Sequence, residues 1–209
     1  MATKRAARKK PARAKSKRKR QIRPVRWLFA WTLRIGILLT VAAVLVIAAH
    51  SVMTPPKTHY MRQEAKRLGG IDYVWVPYEE ISPVMARAVV AAEDANFCAH
   101  WGFDMAAIRD AIEAGGTRGA STISQQTVKN VYLWHGRSWS RKALEAVITP
   151  VVEIIWSKQR IVEVYMNIAE FDEGVFGVDA AAHHYFGVGP ADLSARQASL
   201  LAAVLPNPK

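Results

Sequence analysis

Three segments concentrate side chains able to do chemistry. The first, Glu93-Asp94-Ala95-Asn96-Phe97-Cys98-Ala99-His100-Trp101-Gly102-Phe103-Asp104, opens with an acidic pair at the end of an apolar stretch. A carboxylate there meets the negative end of a helix dipole, which disfavours its charge and suits it to accept a proton. Taken alone, such a pair reads equally well as solvated surface or as a cap for a neighbour. The second segment, Gly119-Ala120-Ser121-Thr122-Ile123-Ser124-Gln125-Gln126-Thr127-Val128-Lys129-Asn130, places small and hydroxyl residues ahead of a run of amides. The free N–H groups of such a helix start attract anions. Gln125 and Lys129 share a face at i, i+4, and Gln126 lies beside them. Locally this is also compatible with a polar surface helix. The third segment, Arg141-Lys142-Ala143-Leu144-Glu145, sets two cations in a first helical turn, where they oppose the dipole. That placement points either to a ligand's negative charge or to an exposed charged face.

The elements that must carry these groups are mostly helical. Ser82-Pro83 supplies a cap and a first-turn proline for a helix reaching Glu93. Asp104 caps a helix through about Ala114, which Gly115-Gly116 ends. Ser121 or Thr122 opens the next, and Thr122 with Gln125 fits a capping box. Ser140 starts a long helix that Pro150 is expected to interrupt. Ser157 caps another through about Ile168. Gly177 to Phe186 and Ser194 to Leu205 follow, the latter with a Ser194-x-x-Gln197 box. Between Tyr60 and Ile81 the pattern is mixed: a short polar helix, Gly69-Gly70 as a stop, and Tyr73-Val74-Trp75-Val76 as one strand. Repeats, a phosphate-binding glycine loop and a metal-ligand cluster are not evident, so no metal ligand is assigned.

The 209 residues carry a net charge of +12, yet thirteen Lys and Arg lie within residues 1–26 and every acid lies at or after Glu64. The remainder is close to neutral, so the basicity belongs to a tail expected to be disordered and not to the folded part. Residues 27–49 form an apolar stretch long enough to cross a bilayer, with Arg34 placed to snorkel and Trp27 and Trp31 suited to the interface. We read an uncleaved single-pass anchor with the N-terminus cytoplasmic by the positive-inside rule. Residues 50–59, with Pro55-Pro56, form a linker, and 60–209 the globular domain. One cysteine excludes an internal disulfide. Cys98 is expected as a small buried hydrophobe, with a nucleophilic role beside His100 as the minor alternative.

Together the motifs become specific. Glu-Asp-x-x-Phe-x-x-His-x-Gly-x-Asp from Glu93, Gly-x-Ser-Thr-Ile-x-Gln-Gln-x-x-Lys-Asn from Gly119, Arg-Lys-x-x-Glu from Arg141, and Ser157-Lys158 with Ile161, Glu163, Tyr165 and Asn167 occur in one order. In that order and spacing they resemble the peptidoglycan glycosyltransferase family. Gly174 to Val178, Ala180 to Ala182, Tyr185-Phe186 and Leu205 to Pro208 are similar to its monofunctional branch. The resemblance covers about residue 60 to the end, and family members usually continue some tens of residues further. It implies a mainly α, lysozyme-like fold with a membrane-proximal jaw lobe. It implies polymerisation of lipid II with inversion and release of undecaprenyl diphosphate. Carried over by position, Glu93 matches the base on the acceptor GlcNAc 4-hydroxyl and Glu145 the donor-side glutamate. Lys129, Arg141 and Lys142 match cations that hold the diphosphate. Asp94, Phe97, His100, Ser121, Thr122, Gln126 and Asn130 are carried over as substrate-binding positions.

A diphosphate leaving group needs positive charge where negative charge develops. The cations supply it, and a weakly held divalent cation (Mg or Mn) shared with the diphosphate is the other source. The expected partners are lipid II, the growing lipid-linked glycan, the cytoplasmic (inner) membrane and proteins of a cell-division or elongation complex. Specific nucleic-acid binding is not expected. Two competing readings stay open. One is a lytic or hydrolytic wall enzyme built on a similar fold. The other is a non-catalytic anchored scaffold whose tail binds anionic lipid.

Overall fold

Pro24 opens the first helix, where a missing N–H costs nothing, and the apolar run behind it continues unbroken to His50. A computed structural model describes residues 24–115, 119–136 and 138–205 of the chain. Most of the expected basic tail, and Pro206 to Pro208 of the terminal motif, lie outside the described residues. This helix, α1 (Pro24–His50), is 27 residues long and apolar enough to cross a membrane. At a rise of about 1.5 Å per residue it spans about 40 Å. The protein falls into two units that divide within α1 between Val41 and Ala42. In the first unit Leu28, Phe29, Leu33, Leu38 and Leu39 are all exposed, as lipid-facing side chains must be. The Arg34 guanidinium stands 5.5 Å from the centre of the Trp31 ring.

The second unit, from Ala42 onward, holds the core. Thr58 caps α2 (His59–Leu68) by accepting from the Met61 N–H. The short β1 (Asp72–Tyr73) follows, then α3 (Pro83–Glu93), α4 (Met105–Glu113) and α5 (Ile123–Tyr132). Next come α6 (Trp139–Ile155) and α7 (Lys158–Ile168). Two short strands, β2 (Glu170–Asp172) and β3 (Val175–Phe176), precede α8 (Gly177–Phe186) and α9 (Ala195–Val204). The sheet order is β1-β3-β2, with β1 parallel and β2 antiparallel to β3. The architecture is the expected mainly α, lysozyme-like one. Both expected capping boxes form, at Thr122 with Gln125 and at Ser194 with Gln197.

The centre of this unit is α7. Ile161, Val162, Val164, Tyr165, Met166, Asn167 and Ile168 are all buried, so the C-terminal two turns of the helix are enclosed by others. Helix α5 packs on α6 and α7, and α3 on α9. The end of α1 belongs to this unit too. Its last carbonyls have no partner within the helix, and Arg160 of α7 takes over: its guanidinium donates to His50 O at 3.1 and 3.0 Å and to Met53 O at 2.5 Å. Trp156 Nε1 donates to Ile47 O at 2.8 Å.

Three local expectations are corrected. Ser138, not Ser140, caps α6, by accepting from the Arg141 N–H at 3.2 Å. Pro150 does not end that helix: it lies inside a continuous span, and the neighbouring Thr149 hydroxyl donates to Glu145 O at 2.7 Å. The strand over residues 73–76 is confined to Asp72–Tyr73. Beyond it the backbone of Val76 is claimed by a side chain: Asn167 Oδ1 accepts from Val76 N, and Asn167 Nδ2 donates to Val76 O, both at 2.8 Å. Asn167 is wholly buried and backs onto Gly177, whose φ is +84° and where any Cβ would stand 2.8 Å from Asn167 O. Only glycine fits both demands.

Asn167→Ala leaves both polar groups of Val76 buried without partners and opens a small cavity. It should lower unfolding free energy by about 2–4 kcal/mol, measured by denaturant melts of the detergent-solubilised protein.

Candidate active site

A cavity of 640 Å³ opens between α3, α5 and α7, lined by Glu93, Ser121, Gln126, Lys129 and Asn130 together with Tyr60, His135, Tyr165 and Glu170. Glu93 is the last residue of α3, so its side chain leaves the helix where the chain turns away. Gln126 Nε2 donates to Glu93 Oε2 at 2.7 Å, and the Tyr165 hydroxyl donates to Gln126 Oε1 at 3.3 Å. The carboxylate therefore stands in the cavity, held by Gln126 and by the Tyr165 hydroxyl beside it. Asn130 Oδ1 is buried in the wall with no hydrogen-bond partner among the described residues.

The cationic group adjoins this cavity. Lys129 is largely buried, and burial pushes its ammonium below the usual lysine range, with Arg141 and Lys142 acting the same way. Glu145 and then Glu93 oppose that shift, so Lys129 feels both carboxylates. Glu145 is 2% exposed. Arg141 Nη1 donates to one of its oxygens at 2.8 Å and Lys142 Nζ donates to the other. Lys142 Nζ also reaches Ser121 Oγ at 3.3 Å. The two cations that oppose the α6 dipole are thus balanced from within, one turn away. A buried anion paired with two cations is stable where it would not be alone.

Four residues carried over as substrate contacts sit behind the cavity wall. Asp94 is buried, with Oδ2 accepting from Ile123 N at 3.0 Å and Oδ1 bonded to His100 Nε2 at 2.9 Å. His100 Nδ1 in turn accepts from Gly102 N at 3.1 Å. Thr122 caps α5 and donates to Gly102 O at 2.7 Å. Phe97 is 1% exposed and lies under the Lys158 ammonium, which is 4.3 Å from its ring centre. These four hold the loop, and none of them is among the residues lining the cavity. Gly102 explains the closeness of that loop: its φ is +90°, and a Cβ there would stand 2.6 Å from Thr149 Cγ2. Cys98, expected to be buried, is exposed, because Phe97 takes the inward position of this turn.

Four cavity residues carry no role from the sequence. Tyr165 stands in the fourth motif, but its contact with Gln126 is tertiary. Tyr60, His135 and Glu170 come from separate elements and have no motif signal. Tyr60 donates to Glu170 Oε2 at 2.7 Å and stacks on His135 with ring centres 3.9 Å apart. His135 Nδ1 is buried without a partner among the described residues. Burial lowers its imidazole to about 4, with Lys129, Arg141 and His59 acting the same way and Glu64 opposing.

Residues 62–209 match the transglycosylase family. The chain is 64% identical over 184 residues to a biosynthetic peptidoglycan transglycosylase of Jannaschia sp. (strain CCS1), covering 88% of this chain and 75% of that one. It is 48% identical to the protein of that name from Pseudomonas fluorescens (strain SBW25), covering 88% and 81%. It is 52% identical to that of Stutzerimonas stutzeri (strain A1501), covering 80% and 73%.

The depressed imidazole of His135 has a consequence for stability. The unfolded chain takes up this proton near the ordinary histidine value of 6.5, whereas the folded one resists until about 4. Stability therefore falls as pH drops from about 6.5 toward 4, because the unfolded state binds more protons there. The urea midpoint should decrease across that window, and His135→Gln should flatten the decrease.

Proposed function

The chain belongs to the transglycosylase family, and from that premise we propose that it elongates glycan strands from lipid II, with Glu93 as the base and the Lys129, Arg141 and Lys142 group at the diphosphate. That the chain is a peptidoglycan glycosyltransferase follows from the family and its relatives. The observation that carries the finer reading is a cavity lined by both Glu93 and Lys129, with Lys142 reaching its Ser121 from the adjoining Glu145 cluster. One carboxylate presents itself in the open, and one buried carboxylate holds two cations beside a third.

In this reading the acceptor GlcNAc 4-hydroxyl gives its proton to Glu93. Its oxygen forms a bond to the anomeric carbon of the donor MurNAc as the bond to the diphosphate breaks. The configuration inverts from α to β, and undecaprenyl diphosphate leaves with the bonding pair. Lys129, Arg141 and Lys142 stabilise the charge that develops on the leaving oxygen. Glu145 keeps Arg141 and Lys142 in place until that charge arrives. Ser121 and Asn130 line the cavity where the sugars lie. A hydrolase acting on neutral glycan has no comparable use for three cations.

Among the described residues no group of three or more His, Cys, Asp or Glu is arranged to hold a metal. Both oxygens of Glu145 are already taken by cations. The donor set therefore does not fit a resident ion, and we place any Mg or Mn on the diphosphate itself. The helix α1 anchors the protein to a membrane. We place that anchor in the cytoplasmic membrane, with the basic N-terminus inside and the catalytic unit outside, by the positive-inside rule. The tether confines the enzyme to the surface that carries its substrate, which raises effective concentration. Proteins of a division or elongation complex are the proposed partners.

Purified full-length protein incubated with lipid II should form glycan polymer, resolved by gel electrophoresis. Glu93→Gln should slow this by about 10²–10⁴-fold, and polymerisation at the parental rate would overturn the assignment. Excess chelator should slow it by less than about tenfold if the cations carry most of the charge stabilisation.

A further inference from the structure

The Glu93 carboxylate is held from behind by a pair of side chains that make no bond to a substrate in the scheme above. Gln126 Nε2 donates to Glu93 Oε2 at 2.7 Å. Gln126 Oε1 accepts from the Tyr165 hydroxyl at 3.3 Å. Tyr165 comes from the central helix α7 and is 2% exposed, packed so that its ring cannot swing. Gln126 comes from α5, one turn beyond the Thr122 cap, and is only partly buried. Glu93, at the end of α3, is thus connected to two other helices through one amide.

An amide that accepts a hydrogen bond on its oxygen becomes a stronger donor through its nitrogen. The Tyr165 hydroxyl also settles which way the amide points. With the phenol donating, Oε1 must face Tyr165 and Nε2 must face the carboxylate. Reversed, Gln126 would set its oxygen against that of Glu93. The two donors therefore fix the direction in which the carboxylate faces the cavity. A base on the flexible side chain of a glutamate needs such restraint, since misplacement by about 1 Å costs about 10²-fold in rate.

We propose that Tyr165 and Gln126 form a positioning relay that orients the Glu93 carboxylate for proton abstraction. The inference rests on the reading of Glu93 as the base. Burial pushes the Tyr165 phenol far above its ordinary value, and the adjacent Glu93 charge and hydrogen bonding add to this, so it remains a proton donor throughout the working range. The charged groups near this relay are Glu93 itself from α3 and Lys129 from α5, which also lines the cavity; Glu170 lines it from β2 and His135 from the segment after α5.

Tyr165→Phe keeps the ring and removes the hydroxyl. In the full-length protein acting on lipid II, kcat should fall about tenfold with KM changed less than about twofold, because orientation and not binding is lost. Gln126→Met should do the same more strongly. Tyr165 meets the carboxylate directly as well as through the amide, so both side chains restrain one group and the double substitution should cost less than the sum of the two single ones. Gln126 is partly exposed, so this variant carries the test if Tyr165→Phe does not fold. An unchanged kcat in a folded single variant, a loss carried mainly by KM, or full additivity in the double overturns the relay. Glu93→Gln assayed in parallel separates the two claims. If it is inactive while the relay variants behave as the parent, only the relay fails. If it polymerises normally, the base assignment fails and the relay with it.

Discussion

One buried carboxylate organises the catalytic wall. Asp94 stands where α3 ends, and its two oxygens are divided between the first N–H of α5 and the ring of His100. The start of α5 has unpaired donors and a positive dipole end, so an anion there is favoured twice. The same contact brings the end of α3 against the start of α5, which is what lets Gln126 reach Glu93. His100 passes the constraint on to Gly102, whose backbone is pinned by Thr122 and whose missing side chain admits α6. Glu93 depends on Asp94 for its place without sharing its chemistry.

The same economy appears along α7. Arg160 closes the end of the anchor helix, Tyr165 supports Glu93 together with Gln126, and Asn167 satisfies the backbone leading out of β1. These residues lie on one helix with no exposed face of any width. A change anywhere in its packing reaches the anchor, the cavity and the sheet together. The interior is close-packed and responds to added or lost volume by shifting its neighbours.

Much of this was legible in the sequence, and the part that was not is of one kind. Helix starts were legible because capping is local: Thr122 with Gln125 and Ser194 with Gln197 lie three residues apart. The 3.6-residue period and the motif order pointed to the helices and to Glu93, Lys129 and Glu145. Long-range side-chain bonds were not legible. Nothing near Val76 in the chain announces that Asn167, 91 residues on, will take its backbone and stop the strand. Nothing around Tyr60 announces a stack with His135. Phe97, His100 and Thr122 show a subtler limit. Their motif positions mark them as important, but only burial and partners reveal that they support the wall and do not line it.

Glu145 has a consequence for turnover. Its carboxylate is a built-in counter-ion: in the resting protein it neutralises the charges that the proposed leaving group must engage. A diphosphate entering there does not meet bare cations but exchanges with an anion already present. The exchange runs in both directions. After the sugar is transferred, Glu145 competes with the departing diphosphate for Arg141 and Lys142, and each cation it recaptures loosens the product. In the proposed reaction the enzyme gains from that competition. It trades some grip on its donor for freedom from its own by-product.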